Sequence, residues 1–300
     1  SLKLIKDYVF IMFFLGNDFM PHFPSLNIRT HGIEMLLETY KNILGNKQTF
    51  LIEDGEIVWK NVRELIKEFS KMELDNLKRE YRIREKQEKK VYNNERFVDN
   101  KMHGEEYIHK KKLENVLLNL PIKNRDEERI INPNEKYWEN RYYEELFETQ
   151  RNEENIKKIC LNYIEGLEWN MIYYSNGCKN WRWKYNYSYP PLFKDLLKFI
   201  PIWGIEYIKE DYNTINNTIQ LAYILPLSSM YLLPKKYQNA MVEYKKKTND
   251  VNIKWSFCRY FWESHLEFEL ENLCDIEKIV QEVDAVILSP HKPEGKTLLL

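Results

Sequence analysis

Gly16-Asn17-Asp18-Phe19 is the first place in this sequence where residue type and spacing suggest chemistry. An ionised carboxylate at the end of a helical segment, beside a glycine that permits close backbone approach, suits a divalent cation, because hard cations prefer oxygen ligands. The same four residues also fit an ordinary cap or turn. A second concentration is aromatic: Trp181, Trp183, Tyr185, Tyr187 and Tyr189, ending at Pro190-Pro191. Rings of this kind can stack on nucleic-acid bases. Trp181 and Trp183 are not both expected to meet one ligand, and at least one of them is expected to pack in the core. The three tyrosines read as packing residues. Cys160, Cys178, Cys258 and Cys274 lie at least 16 residues apart, and neither a Cys-x-x-Cys pair nor a His-Glu-x-x-His element occurs. That argues against structural zinc and against a disulfide framework, and fits a reducing compartment.

The elements that must hold these residues read mostly as helix. Leu4, Ile5, Tyr8, Ile11, Met12 and Leu15 recur at helical spacing, so a buried helix is expected before Gly16. Two prolines and Gly16 make 16–24 a turn region. Ile33, Leu36, Leu37, Tyr40 and Leu44 predict a second helix closed by Gly45-Asn46, and Val62, Leu65, Ile66 and Phe69 open a third. From Lys71 to Lys112 mixed-sign charge replaces large apolar residues, which predicts a solvated projection with no apolar face to bury. Cys160, Ile164, Leu167, Met171 and Tyr174 form a further helical stripe, and Leu225-Pro226 and Leu233-Pro234 bracket a short loop. Ser289 to Gly295 reads as a loop. The expected fold class is predominantly α, with a long charged helical arm.

Composition narrows the function classes. Forty-five basic and 46 acidic residues leave a net charge of −1, so a broad basic nucleic-acid face is excluded and any such contact must be local or stacking. The longest apolar run, Tyr8 to Leu15, falls far short of the roughly 20 residues of a membrane span. A dense motif within twenty positions of Ser1 makes the chain read as a fragment of a longer polypeptide.

The string Leu15-Gly16-Asn17-Asp18-Phe19-Met20-Pro21-His22-Phe23-Pro24-Ser25-Leu26 resembles a signature of the XRN family of 5′→3′ exoribonucleases. Further blocks agree in order: Tyr163 to Trp169 with Tyr173 to Trp183, then Ile224 to Ser229 with Leu233-Pro234 and Tyr237, then Trp262-Glu263. The resemblance covers nearly the whole chain and is weakest over 71–132. It implies the C-terminal part of the conserved nuclease core: residues 1–45 as the end of a PIN/flap-endonuclease-like α/β catalytic domain, and 46–300 as the XRN helical domain with a charged arm at about 71–132. It further implies processive hydrolysis of single-stranded RNA bearing a 5′ monophosphate, with Mg²⁺ (or Mn²⁺) held by a ring of acids of which Asp18 matches the last. Two metal ions about 4 Å apart activate water and neutralise charge on the phosphate and leaving oxygen. One aspartate cannot hold them, so the partner acids are expected in an upstream half of the same polypeptide, and this chain alone is expected to be inactive. Asn17 and His22 are candidates for orienting the ligands from behind, with turn formation and loop packing as the alternatives. A tryptophan of the Trp181/Trp183 pair is expected to stack on an RNA base.

The departures are Asn180 for the usual serine, and Ser188 and Pro190 for histidine and alanine; they bear on substrate contacts more than on fold. A competing reading is a non-catalytic helical RNA-binding or protein-interaction module that kept the fold. A flap-endonuclease-like DNase fits less well, since that group lacks the aromatic and Leu-Pro blocks. Family members work in both cytoplasm and nucleus, so an intracellular protein of either compartment is expected.

Overall fold

The chain pairs a helix dense in aromatic and aliphatic residues with a much longer charged one, and the architecture follows from how these two bury their faces. A computed structural model describes residues 2–99, 116–211, 214–248, 251–268 and 272–288. In order, the helices are α1 (Leu2–Met12), α2 (Gly32–Ile43), α3 (Trp59–Asp99), α4 (Leu120–Lys123), α5 (Asp126–Ile131), α6 (Trp138–Phe147), α7 (Glu153–Asn176), α8 (Phe193–Phe199), α9 (Asn217–Ile224), α10 (Lys235–Lys247) and α11 (Leu273–Leu288). The described strands are short: β1 (Ile52–Glu53) pairs antiparallel with β2 (Glu56–Ile57), and β3 (Val251–Lys254) pairs with β4 (His265–Phe268). The fold is predominantly α. No helix among the described residues is long and apolar enough to cross a membrane.

Two compact units divide the chain: Ser1–Tyr212 with Lys254–His265, and Asn213–Ile253 with Leu266–Leu300. The division expected at residue 45 therefore falls inside the first unit, whose core runs unbroken from Phe10 and Phe14 through Val62 and Phe69 to Tyr163, Leu167 and Phe193. At its centre α7 buries residues on every side, including Ile159, Cys160, Tyr163, Gly166, Leu167 and Asn170. A helix buried on so many sides belongs inside a core. The second unit closes a smaller core of Ile219, Ala222, Met230, Leu233, Tyr237, Met241, Ile276 and Val280.

Two expectations are corrected. The first helix exists, but only one side is buried. Phe10, Ile11 and Asp7 face the core, whereas Leu2, Leu4, Ile5 and Tyr8 are exposed. Asp7 is buried because it is used: its carboxylate accepts the N–H groups of Leu51 and Ile52, both at 2.9 Å, and the Tyr40 hydroxyl at 2.6 Å.

The charged segment is the second correction. Helix α3 continues into it as far as Asp99, and Glu73, Asn76, Leu77, Glu80, Tyr81 and Arg84 are buried at the same three- and four-residue spacing as Val62, Leu65, Ile66 and Phe69. Up to Arg84 the stripe turns polar and finds partners; residues 85–93 are exposed or half-buried, as a solvated projection requires. Glu73 accepts the N–H groups of Phe193 (2.7 Å) and Lys194 (3.2 Å) at the start of α8. Arg84 donates to Glu128 of α5 (2.8 Å), to the Cys258 carbonyl (2.9 Å) and to the Pro121 carbonyl (3.2 Å). Arg125 donates to the same Glu128 at 2.7 Å. Buried charges persist only where they are paired and hydrogen-bonded, as those of Arg84, Arg125 and Glu128 are. The part of the expected arm at 100–115 lies outside the described residues, as does the loop 289–295.

A candidate metal-binding turn and its aromatic support

The turn that carries Asp18 is built by what lies on either side of it. Phe13–Leu15 forms a 3₁₀ turn, and Gly16 then adopts φ 85°, ψ 155°. A Cβ there would sit 2.8 Å from the His22 nitrogen, so glycine answers both the conformation and the space. The Asn17 side-chain oxygen accepts the N–H groups of Phe19 and Met20, each at 2.9 Å, and the backbone N–H of Asn17 donates to the Met20 carbonyl at 3.0 Å. Such side-chain-to-backbone bonds are why asparagine favours turns. The loop is closed by the Phe23 N–H donating to the Phe14 carbonyl at 3.1 Å.

Helix α7 anchors this loop from below. Asn17 donates its amide to the Asn170 side-chain oxygen at 2.8 Å, and buried Asn170 donates onward to the Gly166 carbonyl at 2.8 Å. Phe19 meets Trp169 and Tyr173 edge-on at 4.8 and 5.2 Å. Met20 presses on Gly166, where a Cβ would come within 2.2 Å of its sulfur. Phe23 stacks on Phe193 at 3.7 Å. With its neighbours pulled inward, Asp18 is left exposed. Its carboxylate makes no hydrogen bond or ion pair among the described residues.

The other sequence-derived candidates fall as follows. The Asn17 amide is committed to the turn and to Asn170. His22 is half-buried, and its pKa is pushed down to about 4, chiefly by burial, with the charges of His265, Arg84 and Arg29 adding and Glu263 opposing. It is therefore neutral near pH 7. Trp183 is packed: its ring stacks on Trp169 at 5.2 Å, which stacks in turn on Tyr173 at 5.1 Å, and its N–H points to Glu165 at 3.4 Å. Trp181, by contrast, is 50% exposed. Asn180 sets this difference. Its side-chain oxygen accepts the N–H groups of Arg182 and Trp183, both at 2.9 Å, and its carbonyl accepts the Trp169 indole N–H at 2.8 Å. Tyr185 and Tyr189 pack inside, and Tyr187 leans on Phe147 at 5.4 Å.

Thus Asp18 and the Trp181/Trp183 segment share one scaffold, residues 166–173 of α7. In the sequence that stretch reads as a helical stripe, and the one hint of a supporting role is polar Asn170 set between Trp169 and Met171. A nearby cleft of about 410 Å³, lined by Trp59, Glu168, Met171, Lys179 and Glu206 among others, has its main polar groups already occupied. Glu168 accepts the N–H groups of Tyr207 and Ile208, and Lys179 pairs with Glu206. Among the described residues no three His, Cys, Asp or Glu side chains gather into a set that could hold a metal ion. Asp18 offers one hard oxygen donor, and a metal bound there would need others from elsewhere.

Comparison with known proteins identifies the family. The pattern of the Xrn1 helical domain matches residues 2–132 and 104–262, which is most of the chain. Among curated proteins, a 5′-3′ exoribonuclease 2 homolog of Drosophila melanogaster is 26% identical over 272 residues, covering 80% of this chain and 29% of the relative. The 5′-3′ exoribonuclease 2 of Arabidopsis thaliana is 26% identical over 307 residues (80% and 30%). The 5′-3′ exoribonuclease 1 of Schizosaccharomyces pombe is 24% identical over 334 residues (80% and 24%). The chain spans between about a quarter and a third of the length of these relatives. With its helical core, its Gly-Asn-Asp turn and its Trp-x-Trp segment in matching order, the chain belongs to the XRN family through the Xrn1 helical domain.

Proposed function

We propose that this chain is the part of a metal-dependent 5′→3′ exoribonuclease that contributes Asp18 to a Mg²⁺ site completed by acids elsewhere in the same polypeptide. Its substrate would be single-stranded RNA with a 5′ monophosphate. The observation that carries this reading is the braced turn. Five backbone and side-chain hydrogen bonds, a positive-φ glycine and three anchored aromatic or sulfur side chains hold an aspartate whose own carboxylate is exposed and unpaired among the described residues. Bracing of that kind has little structural purpose for an exposed acid, but it suits a ligand that must keep its position. A bound metal would supply charge neutralisation on the phosphate. The chain's own contribution is to orient one oxygen donor and, through exposed Trp181, to offer a ring for a base.

The names of the relatives support the substrate class. The test is Asp18→Asn in a longer polypeptide that degrades 5′-phosphorylated RNA. Turnover should fall by orders of magnitude while the melting temperature stays unchanged, because an exposed side chain carries little stability. Unchanged turnover would remove Asp18 from the metal site. The 300-residue chain alone should show no Mg²⁺-dependent digestion, and robust digestion by it would relocate the active site.

A further inference from the structure

An exposed aromatic pair in the first unit has no part in the site above. Trp262 is 68% exposed, yet it is held: its ring lies nearly parallel to Tyr260, 5.6 Å away at 15°. The Arg29 guanidinium sits over both rings, 5.5 Å from Tyr260 and 5.9 Å from Trp262, and Arg259 lies over Tyr260 at 4.6 Å. One carboxylate organises the group. Glu263 pairs with Arg29 and accepts the Arg259 N–H at 2.7 Å. Four side chains are thereby fixed around one solvent-facing ring.

We propose that Trp262, with Tyr260 behind it and Arg29 and Arg259 beside it, is a second stacking platform for bases of single-stranded RNA, distinct from Trp181. This rests on the reading of the chain as RNA-handling. A flat ring locked by a parallel neighbour and guanidinium groups loses little side-chain freedom on binding, so stacking energy is not spent on ordering. Every base has a π face, which makes such a platform indifferent to sequence. The guanidinium groups can answer phosphates. With a net charge of −1 the chain has no broad attractive field, so ring contact must carry most of the affinity. Tryptophan, tyrosine and arginine also form protein-binding hot spots. Here, however, two guanidinium groups flank the ring pair while Trp262 stays 68% exposed, which suits a charged polymer with bases to stack better than an apolar partner. The platform is tied to the chain that follows the Asp18 turn, since Glu263 pairs with Arg29.

The test is fluorescence anisotropy of the 300-residue chain with oligo(A), oligo(U) and an abasic strand of equal length. Trp262→Ala should weaken binding of both oligonucleotides about tenfold, and Trp262→Phe should restore most of it. The abasic strand, which loses the Trp181 contact as well, should bind the native chain more weakly than oligo(A) binds Trp262→Ala, and the salt dependence should be shallow. Equal affinities of native chain and Trp262→Ala, both folded by circular dichroism, would overturn the platform and leave the patch to a protein partner. Failure of the native chain to bind single-stranded RNA would overturn it as well. Neither result bears on turnover by Asp18→Asn in the longer polypeptide, so this inference and the metal site can fail separately.

Discussion

Asn17 and Asn180 solve one local problem in two places, each accepting with its side-chain oxygen the N–H groups of the second and third residues that follow. In both turns the residue in between, Asp18 or Trp181, is left exposed. Asparagine at 180, where the resemblance leads one to expect serine, keeps this turn chemistry, since both residue types make such bonds. The two tryptophans should separate accordingly. Trp183→Ala removes a ring stacked in the core and should cost about 3–5 kcal/mol. Trp181→Ala should stay within about 0.5 kcal/mol, as surface changes do. Urea unfolding of the two variants measures this, and equal losses would mean that both rings serve packing.

At the scale of the element, α3 carries the clearest consequences. Arg84 ties α3 to Glu128 of α5 and to the Cys258 carbonyl. Burial alone would raise the Glu128 carboxyl, but Arg84 and Arg125 more than offset it and hold it below the usual carboxylate range. Arg84→Met leaves Glu128 with one partner fewer and should destabilise the chain by about 3–5 kcal/mol in denaturant unfolding. A loss near zero would mean that water reaches the site. Glu73 behaves oppositely. Burial raises its carboxyl to about 8, the N–H groups of Phe193 and Lys194 opposing this only in part, with Asp195 and Glu139 adding to the rise. The folded chain therefore keeps a proton that the unfolded chain sheds above its ordinary value of 4.5. That contribution to stability is full below the unfolded value and is lost as pH climbs to the folded one, so it fades between about pH 5 and pH 8. Glu73→Gln should flatten this part of the stability profile, and parallel profiles for the two proteins would contradict the assignment.

For the molecule as a whole, the outer face of α1 is the notable surface. Leu2, Leu4, Ile5 and Tyr8 are exposed on a helix whose opposite side is core. If the acids that complete the Asp18 site belong to the same polypeptide, this face is where they would pack. Ile5→Lys should then change the stability of the 300-residue chain by no more than about 0.5 kcal/mol. In a longer, active polypeptide it should cost about 1.5–3 kcal/mol, the value of burying an isoleucine. Equal effects in both, read by thermal melts, would leave that face open to water.

How much was legible follows from the range of the interactions involved. Helix periodicity, turn residues and the order of the motifs are local, and they determined the predominantly α fold, the turn at Gly16 and the family. The burial of α3 was not legible, because Glu73, Glu80 and Arg84 look like a solvated face until Phe193, Thr30 and Glu128 arrive from distant parts of the chain. Nor could spacing tell Trp181 from Trp183: only Trp169, brought across by α7, decided which of them packs. A hydrogen bond or a ring stack between residues far apart in sequence leaves no periodic trace along the chain, so only the tertiary structure determines it.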